Sequence, residues 1–190
     1  MIQFHTYSII LAVSALTTLT VYLIARRRSA PGSLALKGML LGMFVWGFSY
    51  ALSWAFVPLG YKVFWLKFMF FGLTTVPVLF LIFTLRITHR DQWITFRNYV
   101  ILFTEPFIIL LLVWFAPGLI FKSVEPVFKS GLATIQLQRG IGFWVSTVYS
   151  YAVIFISFYL LTASYRHANN FFKRQYRLIL VGSILPFALS

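Results

Sequence analysis

Five stretches of about twenty mostly apolar residues, each fenced by charges or prolines, recur along this chain at roughly 6–25, 36–56, 64–86, 98–116 and 141–163. A helix that crosses the hydrocarbon core of a bilayer, about 30 Å thick, needs about 20 such residues. A sixth run opens after Arg177, from Leu178 to Ser190, and at about 1.5 Å per residue it covers only about 20 Å. The expected fold is an all-α integral membrane protein: a polytopic helical bundle with five complete spans plus a truncated sixth. On this reading the chain is an excerpt of a longer protein, a single transmembrane domain over 1–190 with a seventh span expected beyond the chain end.

Composition agrees with that solvent. Of 190 residues, 61% are hydrophobic and 10% charged, whereas soluble domains run about 45–50% apolar and about 25% charged. The formal charge of +13 would suggest nucleic acid on a soluble protein. Here the cations sit in short clusters between apolar runs, so no nucleic-acid partner is expected and the bilayer is the partner instead. With no cysteine, disulfides, thiolate nucleophiles and Cys-ligated metal sites are excluded.

The clusters also set the topology. Arg26, Arg27, Arg28, Lys37, Arg86, Arg90, Arg97, Arg166, Lys173, Arg174 and Arg177 fall on one side of the crossings, and the remaining five of the 16 basic residues, Lys62, Lys67, Lys122, Lys129 and Arg139, on the other. The richer side is cytoplasmic by the positive-inside rule. The N-terminus is then outside, in a multi-pass protein of the inner (cytoplasmic) membrane. Met1–Thr6 lacks a positive n-region, so the first span is not a signal peptide. Trp54, Trp65, Trp114 and Trp144 gather at the outer ends of spans as an interfacial belt.

The longest loop, 117–140, lies outside. Ile135-Gln136-Leu137-Gln138 alternates apolar and polar, and Lys129-Ser130-Gly131 can turn it back on Phe121 to Phe128. A short extracellular β-hairpin is expected there, lidding the bundle, with Pro126 restricting the first strand to an edge.

Groups for chemistry are scarce. His5 is at the terminus, and His89 and His167 are in loops. No metal site, catalytic residue or phosphate-cradling glycine loop is expected. Gly38 and Gly42 form a small-xxx-small pair suited to close helix packing. Trp46, Tyr50 and Trp54 continue the same stripe at steps of four. It reads either as a packing seam or as the wall of a ligand pocket between helices.

Lys67 lies about one turn into the third span, where it either snorkels to the headgroups or makes an inward polar contact. Glu105, followed by Pro106, sits deeper in the fourth span and marks a candidate switch, because charge at membrane depth is costly. It is expected to reach Arg86, or to sit protonated against Thr84 or Thr104. Pro106 frees the carbonyl four residues back and favours a kink.

From about Leu34 onward the chain resembles the N-terminal seven-transmembrane region of bacterial membrane histidine kinases, with relatives ahead of PAS and diguanylate cyclase modules. The resemblance is carried by Trp46-Gly-Phe-Ser-Tyr50-Ala-Leu, Phe64-Trp65-Leu-Lys67-Phe with Gly72 and Pro77, and Leu85-Arg86-Ile-Thr-His-Arg90. It continues through Arg139-Gly140-Ile-Gly-Phe143-Trp144, Tyr149-Ser150-Tyr151, and Arg174-Gln175 with Gly182 and Pro186. It implies a membrane sensor whose seventh helix drives a cytoplasmic transmitter, with homodimerisation through the full-length kinase and a response regulator downstream. ATP and Mg would belong to the kinase domain; no cofactor is expected in this fragment. Ser53 stands where the family is associated with an acidic residue, and Glu105 where it more often has an apolar one.

The leading expectation is a signal-input domain that binds a small ligand of unknown identity through Trp46, Tyr50, Trp54, Trp65, Lys67, Trp144 and Tyr149. The rivals are a diguanylate cyclase or PAS sensor, a transporter or channel subunit, a membrane enzyme, and a plain anchor. Reporter tags at Met1 and within 166–177 should map to opposite faces of the membrane; the same face for both would overturn the topology.

Overall fold

A computed structural model of the chain describes residues 6–25, 32–129 and 132–167. The expected sixth span, 178–190, lies outside the described residues, as do Arg26, Arg27 and Arg28. Six helices are described: α1 (Thr6–Ala25), α2 (Ser33–Ala55), α3 (Leu59–Phe68), α4 (Phe70–Ile87), α5 (Phe96–Phe115) and α6 (Ile141–His167). Helices α3 and α4 meet at Met69, where the ladder carries on through Met69 N–H to the Trp65 carbonyl and Leu73 N–H to that of Met69, both at 3.0 Å. The result is five segments long and apolar enough to cross a membrane, α3 and α4 counting as one segment of 29 residues.

Hydroxyls inside these segments find partners one turn back along their own helices. Thr17, Thr74, Thr104, Thr147 and Ser157 each donate to the carbonyl four residues earlier at 2.7–2.8 Å. This disposes of polar side chains where no water can.

Helix α4 is the hub. Eleven of its residues are buried, and α2, α3, α5 and α6 all pack on it, while α1 lies along α2. The expected packing role of Gly38 and Gly42 is met at the α2–α4 crossing, with Gly72 as the partner from α4. A Cβ at Gly72 would run into the Gly42 carbonyl and stand 2.8 Å from Trp46 Cβ, and one at Gly42 would stand 2.9 Å from Val76 Cγ2. Large apolar residues on the outer faces, among them Leu16, Phe107, Val148 and Phe155, are 55–68% exposed. Such a surface fits lipid rather than water.

Third-span boundaries differ from the expected 64–86, because the helix begins five residues earlier, at Leu59. Lys62 appeared to end the apolar run, but its charge is folded inward, as described below. At about 1.5 Å per residue the segment is roughly 44 Å long, so it overshoots a core of about 30 Å.

At its other end α4 stops in a Schellman turn. Arg90 N–H bonds the Leu85 carbonyl at 2.9 Å and His89 N–H that of Arg86 at 3.3 Å, with His89 in the left-handed region at φ 56°. His89 therefore has a backbone task at this turn.

The hairpin forms where expected, with β1 (Phe121–Lys129) antiparallel to β2 (Leu132–Arg139) and Pro126 opposite Ile135. Its base covers one end of the bundle: Phe121 meets Phe70 edge-on at 5.6 Å, within a cluster that includes Leu66, Ile109, Val113 and Ile120. Trp54, Trp65, Trp114 and Trp144 all lie toward this hairpin end, since α2 and α5 finish there and α3 and α6 begin there.

Gly72→Val should lower the melting temperature in detergent by the equivalent of at least about 1–3 kcal/mol, the usual cost of overpacking. Gly60→Ala, where nothing lies within 4 Å of the added Cβ, should leave it unchanged or higher.

Candidate functional site

Lys62 is 2% exposed. Its ammonium donates to the carbonyls of Ser53 at 3.2 Å and Trp54 at 3.4 Å, the last turn of α2. A cation at the C-terminus of a helix meets the negative end of its dipole and carbonyls that have no intrahelical donor. Pro58, at the N-cap of α3, sets the short reversal that brings the two helix ends together. Among the described residues the one ion pair is Arg86 with Asp91, 3.1 Å apart at the opposite end and largely exposed.

Beside Lys62 lies an aromatic cluster. Trp65 touches Phe48, Phe64 and Phe68 edge-on at 5.3–6.5 Å, and Phe64 meets Trp114 of α5 at 5.8 Å. The Lys67 ammonium stands 5.9 Å from the Trp114 ring centroid, a cation–π contact near the hairpin end of α5. An open apolar cleft of about 570 Å³ is bordered by Phe56, Pro58, Gly60, Tyr61, Phe64 and Trp65.

The seven residues expected to enclose a ligand are not on one wall. Tyr50 and Trp54 pack together at 6.3 Å, with Tyr7 of α1 against Trp54 at 6.0 Å. Trp46 stays 38% exposed while its backbone abuts Gly72. Trp65 and Lys67 belong to the α3–α5 cluster, and Trp65 alone of the seven borders the cleft. Trp144 is half exposed at the start of α6, its ring 5.9 Å from the Arg139 guanidinium.

Tyr149 lies elsewhere. Its hydroxyl donates to the Leu102 carbonyl of α5 at 2.7 Å. That carbonyl is four residues before Pro106, the one the proline leaves without an N–H. A phenol on α6 thus repairs the gap that Pro106 opens in α5.

Glu105 is part of the same seam, and its expected partners are corrected. Arg86 is engaged by Asp91, and Thr104 donates to the Val100 carbonyl. Neither carboxyl oxygen of Glu105 nor the Thr84 hydroxyl has a hydrogen-bond partner, although all three are shielded from solvent. From α6 the carboxyl faces the Ser146 hydroxyl and feels Tyr149. The end of α4 explains the miss, because Arg86 lies in its last turn with a largely exposed side chain that reaches Asp91 just beyond the helix.

Residues 9–190 match the family model described as the N-terminal 7TM region of histidine kinase. The chain belongs to that family. Five spanning helices around α4 and the small hairpin are in keeping with a helical 7TM domain, and the family is a membrane sensor region, distinct from the catalytic part of the kinase. No curated protein and no solved structure matches the chain.

Within this histidine-kinase sensor domain, two contributors escaped the sequence. Lys62 looked like a loop cation, yet Pro58 four residues earlier was a signal of a helix start. Ser146, 6% exposed, carried no signal beyond being a small polar residue between Trp144 and Tyr149. Lys62→Met, which removes the ammonium donor from the Ser53 and Trp54 carbonyls, should destabilise the domain by about 1–3 kcal/mol. Lys67→Met should cost about 0.5–1 kcal/mol, the scale of one cation–π contact; thermal unfolding of the two variants side by side checks the order.

Proposed function

We propose that this chain is the signal-input domain of a sensor histidine kinase in a two-component system. It would sit in the cytoplasmic membrane with its N-terminus outside and relay an extracellular or intramembrane stimulus to a cytoplasmic transmitter. ATP and Mg would be handled by that transmitter, which would dimerise and pass phosphate to a response regulator. The match of residues 9–190 to the histidine-kinase 7TM region is the observation that carries this reading.

The geometry supports a mechanical route. A stimulus arriving at the hairpin end meets the aromatic cluster of Trp65, Phe64 and Trp114 and the α2 corner held by Lys62. Both are attached to α4, and α4 packs on α6. A change there biases two packings of the bundle and is read out as a shift of α6 relative to α4. The ligand contacts proposed are those named from the sequence, Trp46, Tyr50, Trp54, Trp65, Lys67, Trp144 and Tyr149, acting from separate patches rather than one cavity, with Tyr149 apart from the others on the α5–α6 seam. A ligand shifts the output only by its difference in affinity between the two packings.

Exchange of this domain for an unrelated helical anchor in the full-length kinase should abolish stimulus-dependent output while autophosphorylation persists; an unaltered response would reduce the domain to an anchor. Tyr50→Ala and Lys67→Ala, at normal expression, should each change output by at least about fivefold, the low end of an ordinary coupling energy. Unchanged output in both would remove the ligand contacts.

A further inference from the structure

The seam between α5 and α6 contains more polar groups than the Tyr149–Leu102 hydrogen bond uses. Tyr149 has one hydroxyl hydrogen and gives it to the Leu102 carbonyl at 2.7 Å. One turn along α5 from Leu102 are the two carboxyl oxygens of Glu105, shielded from solvent and without a hydrogen-bond partner, and the Ser146 hydroxyl of α6 faces them. Tyr149 lies within electrostatic reach of Glu105. Of the other groups on these elements, α4 carries no titratable side chain between Phe70 and Leu85 and its Arg86 is held by Asp91, α5 adds Arg97 and Tyr99 in its first turn, and α6 adds Tyr151, Tyr159, Tyr165 and Arg166.

We propose that Glu105, Ser146 and Tyr149 form a proton-binding site whose occupancy decides whether α5 and α6 stay locked through the Leu102 carbonyl. With the proton bound, Glu105 is a neutral acid. Its O–H can donate to Ser146 Oγ, and Tyr149 stays on Leu102. When that proton leaves to water, two anionic oxygens compete for hydroxyl hydrogens, those of Ser146 and Tyr149 among them. A charged acceptor outbids a neutral carbonyl, so the phenol turns to Glu105.

The Leu102 carbonyl then has no donor, because Pro106 supplies none. An orphan carbonyl at membrane depth is costly. Helix α5 must straighten, bend further or move to satisfy it, and α6 loses its tether. This deepens the sensor reading, on which it rests only for its output, and makes the proton one input to the bundle.

The test uses the whole chain in lipid nanodiscs. Infrared difference spectra follow the protonated-carboxyl band, and a pair of spin labels at Ile101→Cys and Phe155→Cys, both lipid-exposed positions in a chain without cysteine, follows the α5–α6 distance between about pH 4 and pH 10. The band should disappear and the distance change with one shared midpoint, identical in sodium and in N-methylglucamine buffers. Glu105→Gln should lose both changes. Tyr149→Phe should retain the titrating band and lose the distance change.

A band that does not titrate, a distance that ignores it in the unsubstituted chain, or a distance change that survives Glu105→Gln overturns the proposal. A midpoint that shifts with sodium overturns it in favour of a metal-cation site. Neither readout depends on kinase output, so failure here and failure of the sensor reading are separate results.

Discussion

The α2–α4 crossing governs the bundle because lipid offers helices no hydrophobic reason to associate. What replaces that force is close contact, and at Gly42 and Gly72 the two backbones approach so nearly that no Cβ fits at Gly72. The other helices are arranged around the pair. Helix α1 rides on α2, with Ala15 against Gly47. Helices α5 and α6 fill the remaining faces of α4, and the hairpin closes the end where Phe70, Leu66 and Val113 would otherwise be open. A side chain at the central contact would separate two helices and misplace everything attached to α4.

Polar groups then occupy the joints that apolar packing leaves. Lys62 ties the start of α3 to the end of α2. Tyr149 ties α6 to the carbonyl that Pro106 releases on α5. Each joins two segments through a main-chain carbonyl at a helix discontinuity, where an acceptor is available because the regular ladder has stopped supplying a donor. In a low-dielectric surround such bonds are strong when made and expensive when broken. These joints are therefore places where the loss of one donor leaves a main-chain carbonyl unsatisfied between two helices.

Much of the architecture was legible along the chain. Apolar runs fixed the number of described spans, the Gly38–Gly42 spacing announced a tight crossing, and the alternation at Ile135–Gln138 with a turn at Lys129–Gly131 announced the hairpin. The candidate site was read less well. The Trp46, Tyr50, Trp54 stripe is real as a helix face, but pairing it with Trp144 and Tyr149 assumed a shared cavity, whereas Trp144 stands by Arg139 and Tyr149 is bonded to the Leu102 carbonyl of α5. Lys62 was placed in a loop because charge ends a hydropathy run, and hydropathy does not register a carbonyl waiting on another helix.

The sequence by itself determined that this chain belongs in a membrane, where its helices begin and end to within a few residues, and that Pro106 would leave a carbonyl at Leu102 in need of a donor. Those properties depend on neighbours within one or two turns, whose spacing is fixed by the covalent chain. Only the tertiary structure decided that Tyr149 would be the donor, that Asp91 rather than Glu105 would take Arg86, and that Lys62 would turn inward. Such pairings join residues on different helices, and the rotation and depth of each helix are set by how its side chains fit the others, which no local pattern records.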